Sequence, residues 1–262
     1  MKNKVNSMKL RVLGCSGGIG GRTFRTTSML VDEDVLIDAG TGAADLSLSA
    51  LSRINHVFLT HSHLDHISSL PLILDTVFAR RKQALTVYAL SETIAVLKKH
   101  IFNWEIWPDF SILPNAQTPT LRYQPITLGE VISLDGREVH VLPANHVVPA
   151  VGYELRGAGG SLVFTGDTCV NPQFWELVNR IPSLRYLIIE TAFSNKDRAL
   201  ALESKHLCPS LLAEELKNLK SSPAIFITHL KPGEIDLTMQ EIDTLLMPWS
   251  PRMLQNRQIF VL

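Results

Sequence analysis

Between Leu59 and Ser69 the chain reads LTHSHLDHISS, which places His61, His63, Asp65 and His66 within six residues. Imidazole nitrogen and carboxylate oxygen form the donor set that zinc favours and that manganese or iron tolerates. His61 and His63 fall at the end of an expected strand, His56–Thr60. In extended chain, side chains at i and i+2 project to the same side, so both imidazoles reach one ion. Asp65 and His66 follow where the chain turns into a helix, and they point elsewhere. The loop therefore suits two divalent ions side by side, each taking a pair of ligands.

Each ion needs further ligands, and they stand at distant strand ends. His146 in LPANHVVP follows the expected strand Glu138–Leu142, Asp167 in FTGDT follows Ser161–Thr165, and His229 in FITHLKP follows Ala224–Thr228. A lone histidine at a strand end is ordinarily a satisfied polar residue. Three such residues, added to a His-x-His-x-Asp-His cluster, read instead as one dinuclear site. A paired centre of this kind lowers the pKa of a shared water and delivers hydroxide to an electrophile. Phosphodiesters, thioesters, lactones and β-lactams all qualify as that electrophile.

The elements that must hold these residues follow from hydrophobic periodicity. In the first half, Lys9–Leu13, Ser28–Val31, Val35–Ile37, His56–Thr60 and Leu85–Tyr88 read as strands. A short helix is expected within GTGAADLSLSALSRIN, and a longer one over Ser68–Arg81 with Pro71 in its first turn. Another is expected from an Ser91 N-cap to about His100. In the second half, Leu121–Gln124, Val131–Leu134, Glu138–Leu142, Val151–Leu155, Ser161–Thr165, Tyr186–Ile189, Ala224–Thr228 and Gln258–Val261 read as strands. Asn171-Pro172 opens a helix with a cap and an N1 proline, and Pro209–Leu219 is a second. Strands with interspersed helices in both halves predict an α/β single domain over residues 1–262, two sheets face to face with helices outside. Residues 101–120, IFNWEIWPDFSILPNAQTPT, read as a loop-rich insertion.

Composition narrows the partners. The 262 residues are 45% hydrophobic, and 25 Lys and Arg balance 25 Asp and Glu. A protein gripping long nucleic acid through phosphates ordinarily carries a basic surplus, so a small-molecule substrate is expected and no long nucleic acid. Cys15, Cys169 and Cys208 are odd in number and widely spaced, as in a reduced, cytoplasmic protein. The N-terminal MKNKVNSMKLRVLGC has too short an apolar run for a signal peptide, and no segment reaches the length of a membrane helix. The glycines of GCSGGIGG lack the Lys-Ser/Thr of a P-loop, and there is no His-Glu-x-x-His.

HSHLDH, NH, TGDT and THLKP in this order resemble the metallo-β-lactamase superfamily, from about Leu10 to Leu230. LGCSGG and LIDAGTG resemble its opening strands. The resemblance implies a four-layer αβ/βα sandwich. It implies His61, His63 and His146 on a first ion, Asp65, His66 and His229 on a second, and Asp167 bridging. Asp38 is expected to orient a metal-bound imidazole, or else to be a plain turn residue. Glu190 in LIIETAF and His206 in ESKHLCP resemble the phosphodiesterase branches, where the histidine assists at phosphate and the carboxylate orients it. His206, Glu190 and Asp65 form the expected catalytic set.

HSHLDHISS, IIETAF, KHL and THLKP look most like class II cyclic-nucleotide phosphodiesterases, which cut the 3′ bond of a 3′,5′-cyclic nucleotide. NWEIWPDF in the insertion resembles that class too. SSLPLILDT departs from its pattern at Pro71 and Asp75. Substrate contacts are expected from Lys231 to phosphate, or else it is a surface lysine, and from Trp104, Trp107, Phe110 and Phe193 to the base, with core packing or a homodimer contact as the alternatives for these aromatics. The tRNA 3′-processing endonucleases share the ligands but ordinarily add a basic arm, and residues 101–120 contain no Lys or Arg. Thioesterases of the glyoxalase II kind ordinarily add a C-terminal helical domain. A non-catalytic binding or scaffold descendant of the fold predicts lost ligands, and all seven are present.

Overall fold

The computed structural model describes residues 7–262; the basic segment at the N-terminus, residues 1–6, lies outside the described residues. Strands β1 (Lys9–Gly14), β2 (Ser28–Val31), β3 (Val35–Ile37), β4 (His56–Phe58), β5 (Leu85–Ala89) and β6 (Leu121–Pro125) build one sheet in chain order. β7 (Val131–Leu134), β8 (Arg137–Pro143), β9 (Val151–Gly157), β10 (Gly160–Phe164), β11 (Leu184–Glu190), β12 (Ala224–Thr228) and β13 (Arg252–Met253) build the second. The last strand, β14 (Ile259–Val261), returns to pair antiparallel with β1.

Three apolar cores separate four layers, as the α/β sandwich requires. The central core joins Leu10, Val12, Ile37 and Phe58 of the first sheet to Val141, Tyr153, Phe164 and Ile188 of the second. A second core lies between the first sheet and its helices (Leu36, Val57, Ile73, Leu74). A third lies between the second sheet and its helices (Val163, Leu187, Leu211, Ile242). β1 alternates exposed Lys9 and Arg11 with buried Leu10 and Val12, so only one of its faces is covered. β11 and β12 are buried on both faces over most of their length and read as continuous apolar runs.

Strand direction places the site. β3, β4, β5 and β6 run parallel. In the other sheet, β10, β11 and β12 run parallel, and β8 shares their direction because β9 is antiparallel to both β8 and β10. The carboxyl ends of β3, β4, β8, β10, β11 and β12 lead directly into Asp38, His61, His146, Asp167, Glu190 and His229. Ligand sites in α/β sheets form at such carboxyl ends.

Several expected elements differ. The helix expected over Ser68–Arg81 is a helix at Leu70–Val77 followed by a 3-10 turn at Phe78–Arg80, and a separate helical turn at Leu64–Ile67 precedes it. Ser91 is not the N-cap: Leu90 holds that position without a side-chain bond, and Ser91 is the first helical residue. Helices at Arg198–Glu203 and Ile235–Leu245 were not anticipated. Residues 101–120 carry no helix or strand. None of the described helices is long and apolar enough to cross a membrane, and all three cysteines are free.

Candidate metal centre

The seven ligand-type residues converge into two overlapping groups. His61, His63, His146 and Asp167 offer atoms all within 4.8 Å of one another, and so do Asp65, His66, Asp167 and His229. Asp167 belongs to both. Its Oδ2 lies 3.7 Å from His61 Nε2 and 3.3 Å from His66 Nε2, and its Oδ1 lies 3.2 Å from His229 Nδ1. Asp65 Oδ2 lies 3.7 Å from both His66 Nε2 and His229 Nε2.

The ring nitrogens show what the cluster suits. His61 Nε2, His66 Nε2 and His229 Nδ1 are fully buried and make no aligned hydrogen bond, although Asp167 is close to all three. A buried polar atom without a partner costs about 1–3 kcal/mol. Nitrogens gathered, within each group, no more than 4.8 Å from one another around a carboxylate, without a bond to it, are spaced as metal ligands are. The residues present fit a pair of divalent ions.

Outer hydrogen bonds set the tautomers. Thr60 donates from its backbone N to Asp38 Oδ1 and from its hydroxyl to Asp38 Oδ2, both at 2.8 Å. With its single proton given to Asp38, the hydroxyl oxygen accepts from His61 Nδ1 at 3.0 Å, which leaves the Nε2 lone pair free. His66 Nδ1 donates to Asp38 Oδ2 at 2.7 Å, with the same result. His146 Nδ1 donates to the Lys205 carbonyl at 3.1 Å, which turns Nε2 toward His63 Nδ1, also 3.1 Å away. Asp38, fully buried, thus orients two histidines, one in each group.

Burial keeps most of these rings neutral and their lone pairs available. It pushes His61 well below the ordinary histidine range, His146 down to about 4 and His229 down to about 3. Burial opposes ionisation of Asp167 as well, but His229 and His66 outweigh it and hold the carboxylate ionised. His66 goes the other way: Asp167 and Asp38 overcome its burial and raise it.

Close packing leaves no room for larger residues behind the cluster. A Cβ on Gly17 would stand 2.3 Å from the His229 carbonyl oxygen and 2.9 Å from its ring. His229 itself has φ +63, fixed by its N–H bond to the Cys15 carbonyl at 2.8 Å.

Beside the metal-type groups stands a second pair. Glu190, fully buried, accepts from His206 Nδ1 at 2.7 Å and from the backbone N–H groups of Thr168, Ala192 and Leu207. The His206 ring lies 4.9 Å from His146 and stacks on His229 at 5.3 Å. Burial works against a charged His206, yet the Glu190 carboxylate outweighs it and raises its pKa. Burial raises Glu190. Phe193 meets His206 at 5.7 Å, and Lys231 Nζ sits 5.9 Å over the Phe193 ring while donating to the Gly17 carbonyl at 2.9 Å.

Trp104 and Trp107 do not join this group. The helix Ser91–His100 retraces the length of β5, so the insertion begins at the amino end of the strands, away from the cluster. Its far end is pinned there by bonds from Leu85 N to the Thr120 carbonyl and from Leu121 N to the Phe110 carbonyl. Trp107 packs against the helix-side core, Phe110 is buried in it, and Trp104 is 59% exposed. Thr60, Gly17 and the Lys205 carbonyl went unread from sequence. The Thr60–Asp38 bond spans 22 residues, and only the threonine's place directly before His61 hinted at it.

Residues 33–230 match the family described as "Beta-lactamase superfamily domain". The chain belongs to that superfamily. A "Probable 3′,5′-cyclic-nucleotide phosphodiesterase" of Yersinia pestis is 28% identical over 205 residues, which cover 69% of this chain and 58% of that protein. "Ribonuclease Z" of Methanococcus maripaludis is 30% identical over 159 residues, 57% of this chain and 49% of the relative. The chain thus spans about half the length of these relatives. Among solved structures, unliganded yeast PDE1 superposes with a TM-score of 0.79 over 98% of this chain and 99% of that one, at 20% identity. That likeness is one of fold.

Proposed function

We propose that the chain is a metal-dependent phosphodiester hydrolase acting on 3′,5′-cyclic nucleotides to give nucleoside 5′-monophosphates. His61, His63 and His146 would hold one divalent ion, Asp65, His66 and His229 the other, with Asp167 shared. Zinc suits this donor set best. Bound ions supply a lowered water pKa and neutralise charge on the phosphate oxygens.

The observation that carries the reading is His206 on Glu190. It lies outside both ligand groups, yet its ring is against His146 and His229. Hydrolysis replaces the P–O3′ bond by a bond to a water oxygen, and the expelled O3′ needs a proton. Glu190 fixes His206 through Nδ1, so the proton on Nε2 is the one available to that oxygen. Asp65 is the partly open carboxylate of the cluster, with its side chain 29% exposed, and would take the proton of the attacking water. Lys231 would meet a phosphate oxygen and Phe193 would lie along the sugar or base, a reading supported by their proximity to His206.

The relatives' printed names support phosphodiester chemistry and include both cyclic-nucleotide and RNA enzymes. The endonuclease reading is less favoured: the balanced charge and the uncharged-by-Lys/Arg insertion offer no basic arm. The convergence of all seven ligand-type residues argues against a scaffold descendant. One side-by-side assay with cyclic AMP, cyclic GMP, an aryl phosphodiester and a precursor tRNA separates these. Turnover of a cyclic nucleotide is expected; cleavage of the tRNA alone would move the assignment to the endonuclease. His206→Ala should lower turnover by about 10²–10⁴-fold, the usual worth of general acid catalysis, with metal content unchanged. A His206→Ala chain that loses its metal would contradict the role.

A further inference from the structure

At the end of the sandwich opposite the histidines, a cavity of about 740 Å³ opens between the starts of β4, β5 and β6 and the last part of the insertion. None of the residues assigned above to the metal centre or the reaction lines it. Its size falls within the range of small-molecule sites, roughly 300–1,000 Å³.

The charges facing this cavity are unbalanced. Arg81 spends its N–H groups on the carbonyls of Ser52, Ile54, Gln83 and Ala84 and on Asn55 Oδ1. It is fixed in place yet has no carboxylate partner among the described residues. Lys82 and Arg122 stand exposed at the rim, likewise without an ion pair there. Of the two carboxylates in the lining, Asp34 is bonded by Arg137 at 2.6 and 2.8 Å, an arginine that also meets Asp32 at 3.2 Å, which leaves Asp135 unpaired among the described residues. Three cations against one carboxylate favour an anion.

A second feature points to what the anion carries. Asn55 Oδ1 accepts from Arg81 and from Gln83 Nε2 at 2.9 Å, which fixes both side-chain amides. Asn55 Nδ2 remains as a donor and Gln83 Oε1 as an acceptor, neither with a partner among the described residues. A neighbouring donor and acceptor match the N7 acceptor and exocyclic amine of an adenine edge. Phe78 adds an apolar wall.

We infer that this cleft is a second ligand site, for a purine nucleotide whose phosphate meets Lys82 and Arg122 and whose base edge meets Asn55 and Gln83. The site gives the insertion a role as one wall of a binding cleft, and it does not depend on the reaction proposed above.

Amide NMR of the zinc-loaded chain, titrated with adenosine 5′-monophosphate and separately with inorganic phosphate, tests it. Saturable shifts are expected at Asn55, Gln83, Thr86 and Thr118 with the nucleotide. Arg122→Glu should weaken that binding by about tenfold or more, the worth of a charge-assisted contact. Gln83→Ala should weaken nucleotide binding and leave the phosphate response unchanged. Nucleotide shifts confined to the histidine cluster, or shifts indifferent to Arg122→Glu, would overturn the inference. So would inorganic phosphate reproducing the nucleotide's shifts with equal affinity.

Discussion

Asp38 and Thr60 form a relay in which one buried carboxylate holds an imidazole in each half of the centre. Asp38 Oδ2 accepts from His66 Nδ1 directly and from the Thr60 hydroxyl, whose oxygen in turn accepts from His61 Nδ1. Thr60→Val keeps the shape and removes the middle link. Metal affinity should fall about 10–100-fold, as for other partners of ligating histidines, and Thr60→Ser should restore it; competition with a chelator measures both. A Thr60→Val chain with unchanged affinity would show that the relay does not orient His61. At this scale the sequence was most informative for the ligands, because imidazoles two residues apart and strand-end residues have few other uses together. Asp38 was legible as a partner or a turn residue, and in the structure it is bonded to Thr60 and His66. Thr60 was not, since its role depends on a carboxylate 22 positions away.

At the level of elements, the two sheets are tied at their margins as well as through the core. Tyr153 on β9 donates to the Leu59 carbonyl just before His61, at 2.6 Å, and Arg137 at the start of β8 grips Asp34 between β2 and β3. The Arg137 bonds hold the Asp34 carboxyl below the usual carboxylate range, with partial burial opposing them. A carboxyl lowered on folding stabilises the protein above its unfolded pKa of about 4 and loses that contribution as pH falls through the folded value. Arg137→Gln should therefore cost about 1 kcal/mol at neutral pH, discounted for partial exposure. The gap to the parent should close below about pH 4. Urea unfolding at both pH values measures it, and a gap that widens in acid would contradict the assignment. The strand pattern was readable because buried strands are continuous or alternating apolar runs. The helix Ile235–Leu245 left a signal that went unread, Ile235, Met239 and Ile242 at helical spacing. The start of the helix at Leu70 is marked by Pro71 in its first turn.

Across the whole molecule the two ends of the sandwich are chemically distinct. The carboxyl ends of six strands build a nearly dry cluster of histidines and carboxylates, and the amino ends of β4, β5 and β6 meet the insertion around an open polar cleft. Topology keeps Trp104 and Trp107 away from the histidines: their composition suits base stacking, but a helix as long as the strand before it returns the chain to the far end, where Trp107 takes the core-packing alternative. Sequence carries residue types, and only the path of the chain says which end receives them. The central claim is that phosphodiester cleavage belongs to a two-ion centre joined by Asp167. Its most direct test is to count bound metal per chain and turnover of an aryl phosphodiester together, in the parent and in Asp167→Ala. The account predicts two ions and turnover in the parent, with both lost together in the variant. A variant that keeps both ions and its turnover, or a parent that turns over with its metal removed, would contradict it.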